Sequence, residues 1–270
     1  MTDFRIETFQ LSRRELAAFA RRDSDHHDWP VVYTLNDASE VYVGESLDAA
    51  TRLRRHLDGG KAHLGTACVI VDRTFNKSAC LDLESYLISL FSGEGRYKVL
   101  NIQASSGTGN YYERDTYRER FQEIFLRLRA EGLFSSSIEQ IENSDLYKLS
   151  PFKSLTADQG DAVVSITQGV LSSLRGAPSP SMVVEGGPGT GKTVVAIFLT
   201  KLLRDIGAWD GEPVESESYI SGLFTAENKE TLSTLRIGLV VPQQSLRKSI
   251  QAVFSRTPGL NAGMVLSPFD

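Results

Sequence analysis

Four side chains near the start of the chain have types and spacing that suit phosphate chemistry. Tyr33 and Tyr42 lie in two short stretches rich in branched and aromatic residues, and Arg52 and His56 follow, four residues apart. Residues at i and i+4 share one face of a helix, so we expect Arg52 and His56 side by side. A planar guanidinium donates well to phosphate oxygens, and a tyrosine or histidine can orient or deprotonate a water. These residues therefore suggest a site for phosphate chemistry.

A second candidate site is the glycine-rich stretch at residues 186–193, GGPGTGKT. It fits the phosphate-loop pattern, in which backbone N–H groups and a helix N-terminus face phosphate oxygens. We expect Lys192 to reach the terminal phosphates of ATP and the Thr193 hydroxyl to ligate Mg²⁺. An apolar run, MVVE, precedes the stretch and a helical pattern follows it, as the motif requires. The expected ATP contacts are Gly186, Gly187, Pro188, Gly189, Thr190, Gly191, Lys192 and Thr193.

Hydrophobic patterns predict that the first group of residues sits on a small α/β unit. A polar turn, NDAS, joins two β-type stretches into an expected hairpin, and Ser46 can cap the helix that follows. Gly59 and Gly60 end that helix, and a further strand and helix come after it. The order is therefore β-β-α-β-α, ending near Gln103. The expected elements are strands over 31–35, 40–44 and 66–72 and helices over 49–57 and 79–91.

The rest of the chain is predicted to hold a spacer and a second α/β domain. The Ser/Gly-rich stretch 104–110 is expected to be a loop, and the charged helix over 111–130 a solvated spacer without a binding role. Strands and helices then alternate from SPFKSLTADQ onward, which implies a parallel sheet with crossover helices. The expected elements are helices over 159–174, 192–203 and 245–254, a buried strand over 182–185, and a strand over 237–242.

Composition limits the classes of protein to which the chain can belong. With 270 residues, 41% hydrophobic and 23% charged, it suits two globular domains and is neither disordered nor fibrous. A net charge of -5 gives no general attraction to nucleic acid, so contact requires a local basic patch such as Arg52, Arg54 and Arg55. Cys68 and Cys80 are expected to be reduced core residues. No signal peptide or membrane span is predicted, so we expect a cytoplasmic protein without a membrane partner.

The first unit resembles the GIY-YIG nuclease domain over about residues 29–103. The family name records two short strand motifs, which VVY and YVG match here, although Val31 replaces the family's first glycine. The arginine and histidine of the family's first helix, the glutamate of a later helix and an asparagine near the end of the core are also matched. The matched polar residues are Tyr33, Tyr42, Arg52, His56, Glu84 and Asn101.

The resemblance implies how these residues would cleave a phosphodiester. Glu84 would hold a single Mg²⁺ or Mn²⁺ that stabilises the leaving group, while Arg52 would donate to the non-bridging oxygens. Tyr33 would deprotonate or orient the attacking water, which requires the metal and Arg52 to lower the pKa of its phenol. Assisting roles would fall to Tyr42, His56 and Asn101, the last of which would position backbone or substrate.

Each of these residues also has a plainer interpretation. Tyr33 and Tyr42 could be cross-strand packing residues. The arginine and histidine could lie on a solvated helix face, and Glu84 could be an ordinary exposed helix position.

The second domain resembles the start of the Schlafen-type helicase domain of superfamily 1, over residues 152–270. LTADQ, GGPGTGKT, LFTAEN and LVVPQQSLRKSI carry the likeness, which implies that Gln159 contacts the adenine of ATP. The PQQS stretch would then touch single-stranded nucleic acid. Alternatively, Gln159 is an exposed helix residue and PQQS a turn that caps a helix. The chain ends about where that family reaches its acidic motif, so we expect either a fragment of a longer protein or a naturally shortened one, which binds ATP and hydrolyses it poorly.

Together these features predict an α/β protein in which a nuclease domain precedes a partial, RecA-like P-loop domain. The expected function is endonuclease action on nucleic acid, DNA more than RNA, coupled to an ATP-binding motor for defence or nucleic-acid processing. The alternative is a nucleotide-binding regulator whose N-terminal domain binds nucleic acid without cutting it. The sequence does not predict an oligomeric state. The expected divisions are an N-terminal extension over 1–28, a nuclease domain over 29–105, a helical linker over 106–150 and the partial P-loop domain over 151–270.

Overall fold

The computed structural model describes residues 4–102, 110–178, 181–211 and 220–270. The fold is mixed α/β, and the chain divides into two compact units. The first unit comprises the residues up to Asn101 and a later segment that ends at Glu142. The second unit comprises Ile102 and residues 143–270. Most of the predicted loop at 104–110 lies outside the described residues.

The first unit contains β1 (Phe4–Gln10), β2 (Val31–Asn36), β3 (Glu40–Ser46), β4 (Thr66–Asp72) and β5 (Lys98–Val99). They form one sheet in the order β1-β4-β2-β3-β5. Neighbouring strands are antiparallel except β3 and β5, which run parallel. The sheet is therefore mixed, and its central hairpin of β2 and β3 is the one that the sequence predicts.

Five helices accompany this sheet: α1 (Arg13–Arg22), α2 (Ala49–Asp58), α3 (Lys77–Glu94), α4 (Arg114–Ala130) and α5 (Ile138–Asn143). From β2 to α3 the order is strand, strand, helix, strand, helix, as predicted. The cap of α2 differs from the prediction, because its side-chain acceptor for the Thr51 N–H is Asp48 and not Ser46. The helix starts at Ala49, so the residue directly before it has the cap geometry.

The N-terminal segment belongs to the core of the first unit. Strand β1 pairs with β4 along its whole length, from Phe4 opposite Asp72 to Gln10 opposite Thr66. Leu16 and Phe19 of α1 are buried in the same apolar cluster as Tyr33. A segment expected to be an extension is therefore an edge strand followed by a packed helix.

Helix α4 is not the solvated spacer that its charged residues suggested. Its apolar residues recur at helical spacing and make one continuous stripe, which packs against α3. The ring of Phe121 stacks on Tyr86 of α3 at 6.0 Å between centroids. The prediction was wrong because the many charges of the exposed face obscured this stripe. The buried residues are Tyr117, Phe121, Ile124, Phe125 and Leu128.

The second unit is mostly helical. It contains α6 (Asp145–Lys148), α7 (Ala157–Leu174), α8 (Lys192–Ala208), α9 (Ala226–Ser233) and α10 (Gln244–Arg256), with the strands β6 (Leu239–Val240) and β7 (Val265–Leu266). These two strands pair in parallel, with Leu239 opposite Val265. Apolar clusters around α8 and α10 form the interior of this unit.

The predicted buried strand at 182–185 is not present. Residues 181–190 are exposed, and Val183 keeps 81% of its surface accessible. A run of β-branched residues favours an extended backbone, yet a strand also needs a neighbour for its N–H and C=O groups. In the part of the chain that the structure describes, no strand pairs with these residues. The same ranges contain no helix with the length and apolar character needed to cross a bilayer.

Candidate active site

The side chain of Tyr33 lies fully buried across the central hairpin. Its strand partner in the β2–β3 register is Gly44. A methyl group built on Gly44 would stand 2.4 Å from the Tyr33 hydroxyl oxygen, far inside van der Waals contact. The glycine of the YVG stretch is thus required by the close approach of the tyrosine ring to the backbone of β3.

Helix α2 brings two polar side chains to the Tyr33 hydroxyl. The hydroxyl oxygen is 2.7 Å from His56 Nε2, and Arg52 Nε donates to the same oxygen at 3.2 Å. A guanidinium can only donate, so Arg52 leaves the phenol hydrogen available for the imidazole nitrogen, and we assign it to that bond. His56 Nε2 therefore acts as an acceptor, which requires a neutral ring with its proton on Nδ1.

Burial and nearby cations keep His56 neutral. Desolvation is the main cause that lowers its pKa, from 6.5 to about 3, and the positive charges of Arg52 and Lys61 act in the same direction. The imidazole of this buried residue is therefore uncharged at neutral pH, as the hydrogen bond from Tyr33 requires.

Burial moves the pKa of Tyr33 in the opposite direction from the one expected of a metal and Arg52. Burial raises it well above 10, and the neighbouring Tyr42 and Glu84 raise it further. Arg52 lowers this pKa, as predicted, but its effect is smaller than that of desolvation. The expected lowering of the Tyr33 pKa depends on a bound metal together with Arg52, so it stays a prediction. At neutral pH, Tyr33 is a neutral phenol bonded to a neutral imidazole.

Tyr42 and Lys61 complete one side of the cluster. The ring of half-buried Tyr42 meets the His56 ring edge to face, at 5.1 Å between centroids. Lys61 Nζ lies 4.4 Å from the centroid of the Tyr42 ring, within the range of a cation–π contact. The sequence analysis did not single out Lys61. Its position directly after the two glycines that end α2 was the only signal available.

Asn101 fixes the backbone of the YVG stretch. Its side chain accepts a hydrogen bond from the Val43 N–H at 3.1 Å and donates one to the Val43 carbonyl at 2.7 Å. Asn101 is buried, and these two bonds imitate a strand neighbour just beyond the short pairing of β3 with β5. The residue therefore holds β3 between Tyr42 and Gly44, which are the positions that contact Tyr33 and His56.

Glu84 lies half-buried on α3. Its charge is close enough to contribute to the raised pKa of Tyr33. Lys77, in the first turn of the same helix, pairs with Glu45 of β3 and so ties α3 to the hairpin. In the described ranges, no three His, Cys, Asp or Glu residues gather as metal ligands would. A single carboxylate nevertheless suits Mg²⁺, which keeps several of its waters when bound by proteins.

The glycine loop of the second unit ends at the first turn of α8. Gly189 and Gly191 have φ values of 76° and 83°, which place them in the left-handed region. Lys192 Nζ donates to the carbonyl oxygens of Gly186 at 2.6 Å and Gly187 at 2.7 Å. Thr193 is half-buried in the first turn of α8. The loop thus presents an exposed backbone and a helix N-terminus, with its lysine folded onto two of its own carbonyl groups.

Gln159 is bonded to this loop and to the start of its own helix. Its side-chain oxygen accepts from the Thr156 N–H at 3.0 Å, and its Nε2 donates to the Thr190 carbonyl at 2.9 Å. A methyl group on Gly191 would approach Gln159 Nε2 to 2.6 Å. Gln159 therefore caps α7 in a reciprocal capping box and also supports the glycine loop.

The structure brings Tyr33, Tyr42, Arg52 and His56 into one cluster, with Asn101 behind it and the charge of Glu84 acting on it. The glycine loop, Lys192 and Gln159 form a separate group within the second unit. A comparison of the chain with protein-family models, with curated proteins and with solved structures found no match in any of the three.

Proposed function

We propose that the first unit is a metal-dependent nuclease of the GIY-YIG type that cleaves phosphodiester bonds in nucleic acid, DNA in preference to RNA. The observation that supports this most is the buried contact of the Tyr33 hydroxyl with both His56 and Arg52. Burying such a set of polar groups costs free energy, so their assembly favours a functional role. The order of the elements around the cluster, β-β-α-β-α, also agrees with the small α/β domain of that family.

The residues of the cluster divide the chemistry between them. Arg52 would donate to a non-bridging phosphate oxygen and neutralise charge that builds up as water attacks. Tyr33 would pass its proton to His56 Nε2 as it takes a proton from the attacking water. His56 is a weak base here because burial, and then the charges of Arg52 and Lys61, depress its pKa. A bound phosphodiester offsets those cations with its own negative charge, which raises the proton affinity of the imidazole.

Glu84 would hold Mg²⁺ or Mn²⁺, and the bound ion would stabilise negative charge on the leaving oxygen. Asn101 would act on the backbone of β3, because its side chain bonds both the N–H and the carbonyl of Val43. Its two bonds would keep Tyr42 and Gly44 in place while the substrate binds.

We propose in addition that the second unit binds ATP through residues 186–193. Support comes from the two left-handed glycines, the start of α8 at Lys192 and the exposure of the loop backbone. Phosphate oxygens would take Lys192 Nζ away from the carbonyls of Gly186 and Gly187. Thr193 would supply its hydroxyl to Mg²⁺, and Pro188 and Thr190 would shape the turn.

Cleavage assays test the nuclease proposal directly. The purified chain is incubated with supercoiled plasmid, linear duplex, single-stranded DNA or RNA, with Mg²⁺, Mn²⁺ or EDTA, and with or without ATP. We expect metal-dependent cutting that Glu84→Ala abolishes. The matched control is Glu119→Ala, because Glu119 is an exposed glutamate of α4. Cutting in EDTA, or cutting by Glu84→Ala at the wild-type rate, would contradict the proposal.

One observation favours the alternative, a regulator that binds nucleic acid without cutting. The Tyr33 side chain is fully buried and its pKa is raised, so its contact with an attacking water requires the site to open. The same assays separate the two functions. Nucleic-acid binding without cleavage under any metal, unaffected by Glu84→Ala, would support the regulator.

A further inference from the structure

Helices α1 and α2 carry a dense set of arginines in a chain whose net charge is -5. α1 has four arginines and one glutamate, and α2 has three arginines and one aspartate. All of these arginines except the half-buried Arg52 are exposed. The arginines of the two helices are Arg13, Arg14, Arg21, Arg22, Arg52, Arg54 and Arg55.

A groove runs between the two helices. Its volume is about 310 Å³. Arg13, Ala17 and Arg21 are spaced at i, i+4 and i+8, so they follow one face of α1. Two of these residues line the groove, and Arg54 lines it from the α2 side. The lining residues are Arg13, Leu16, Ala17, Arg54, Leu57 and Asp58.

Few acidic groups oppose this charge. Asp58 is the acidic lining residue, and it pairs with Arg13 at 2.9 Å. Both partners are largely exposed, so the pair is weak and an anion can compete for the guanidinium. Just beyond α1, Asp23 and Asp25 are bound by Arg5. The groove lining therefore carries two arginines against one aspartate, although the whole chain is acidic.

The surface suits a nucleic acid better than a lipid bilayer. The apolar residues of both helices, such as Leu16, Phe19 and Leu53, point into the core. Among the described residues, neither helix exposes a large apolar side chain of the kind that anchors a helix in a membrane. α2 also carries Arg52 and His56, which face Tyr33, whereas Arg54 is two positions from Arg52 and therefore lines the groove from the other side of the helix.

We propose that the groove between α1 and α2 binds the phosphate backbone of duplex DNA. The proposal rests on the nuclease function above and adds a surface formed partly by the N-terminal segment. The rise of α1 between Arg13 and Arg21 is about 12 Å. One strand of B-DNA presents roughly three or four phosphates over that length. Edge strand β1 and its pairing with β4 would then serve to hold α1 beside α2.

Binding assays in EDTA test this surface without cleavage. The affinity for a short fluorescent DNA duplex is measured at several salt concentrations for the wild type and for the double variant Arg13→Gln/Arg54→Gln, in which both changed residues line the groove. The control, Arg127→Gln/Arg129→Gln, removes the same charge from exposed positions of α4. Each lost phosphate contact lowers the slope of log K against log salt by about 0.9, so we expect a loss of about 2 in the groove variant and none in the control.

A third variant tests the direction of the effect. Asp58→Asn removes the carboxylate from the groove and frees Arg13, so it is expected to increase affinity several-fold. Equal affinities and slopes for the groove variant and the control would overturn the surface even where wild-type cleavage is seen. If the wild type binds DNA with the predicted salt slopes but shows no metal-dependent cleavage, the DNA-binding surface is supported and the nuclease function is refuted. Binding to phosphatidylserine vesicles that the groove variant loses, without binding to DNA, would assign the surface to a membrane instead.

Discussion

The Tyr33 cluster and the glycine loop show two ways in which a chain presents polar groups. Tyr33 and His56 are buried and bonded to each other, and paired strands and a capped helix hold them. The loop at 186–190 is exposed, and the apolar residues before it have no strand partner among the described residues. In the first region the geometry depends on many neighbours. In the second it depends on local backbone conformation and on the side chain of Gln159.

This difference predicts that changes in the cluster cost more than chemically similar changes in the loop. A buried group cannot leave its partners without leaving them unsatisfied, whereas an exposed group can turn to water. The two tryptophans allow each region to be followed separately. Trp29 donates to the Asp72 carbonyl in the first unit, and Trp209 packs against Phe224 in the second.

Removal of the Tyr33 hydroxyl is expected to have the largest effect. Tyr33→Phe deletes the group that joins His56 and Arg52, and we expect cleavage to fall by about 100-fold or more. The free energy of unfolding should fall by about 1–3 kcal/mol, because the ring stays packed but His56 and Arg52 lose a buried partner. Cleavage rates and urea unfolding monitored by Trp29 measure the two quantities. Tyr112→Phe, at a tyrosine with 81% of its surface exposed, is the control. Full activity in Tyr33→Phe would remove the tyrosine from the mechanism.

The same methyl group should have different effects at two glycines. In Gly44→Ala it would meet the buried Tyr33 hydroxyl at 2.4 Å, and overpacking of this kind costs about 1–3 kcal/mol. In Gly187→Ala the nearest contact is a methyl of Thr190 at 3.8 Å, so the free energy of unfolding should change by less than about 0.5 kcal/mol. Urea unfolding monitored by Trp29 for the first variant and Trp209 for the second gives both values. Equal losses of unfolding free energy in the two variants would contradict the contrast between the buried cluster and the exposed loop.

Acidification should destabilise the first unit through His56. Its pKa is about 3 in the folded chain and 6.5 as a model value, so the unfolded chain binds the proton more readily between these values. The contribution of His56 to the free energy of unfolding is complete above pH 6.5 and is lost as the pH falls toward 3. One proton changes the free energy of unfolding by at most about 1.4 kcal/mol per pH unit.

The variant His56→Gln separates this contribution from those of other groups. Glutamine can still accept a hydrogen bond from Tyr33 but does not titrate. The free energy of unfolding of the variant should therefore fall less steeply than that of the wild type between pH 6.5 and 4. Urea unfolding monitored by Trp29 across that range measures the difference. Parallel curves for the wild type and the variant would mean that His56 titrates normally in the folded protein.

Local sequence rules predicted much of the first region and less of the second. The hairpin, α2 and the shared face of Arg52 and His56 follow from short-range patterns, because alternation and i, i+4 spacing act within a few residues. The pKa shift of Tyr33 could not be predicted in the same way. It depends on how deeply the fold buries the ring and therefore on residues far along the chain.

Two of the elements that the sequence misjudged depend on distant partners. The apolar run at 182–185 has strand-forming residues, but no strand lies beside it in the described part of the chain. The charges of α4 hide a stripe whose partner, α3, ends about 20 residues earlier. Lys61 was missed for a similar reason, since its contact with Tyr42 joins two elements across the turn after α2.

The smallest change in stability is expected at Lys192. Its ammonium donates to two exposed loop carbonyls, and water can replace both bonds, so Lys192→Met should alter the free energy of unfolding by less than about 0.5 kcal/mol. ATP should raise the unfolding midpoint reported by Trp209 in the wild type, because a ligand that binds the folded state stabilises it. The variant should lose that rise. Lys229→Met, at an exposed lysine of α9, is the matched control and should keep it. A large loss of stability in Lys192→Met without ATP would show that the lysine holds the loop together, and the contrast between a buried, interdependent cluster and an exposed, locally determined loop would fail.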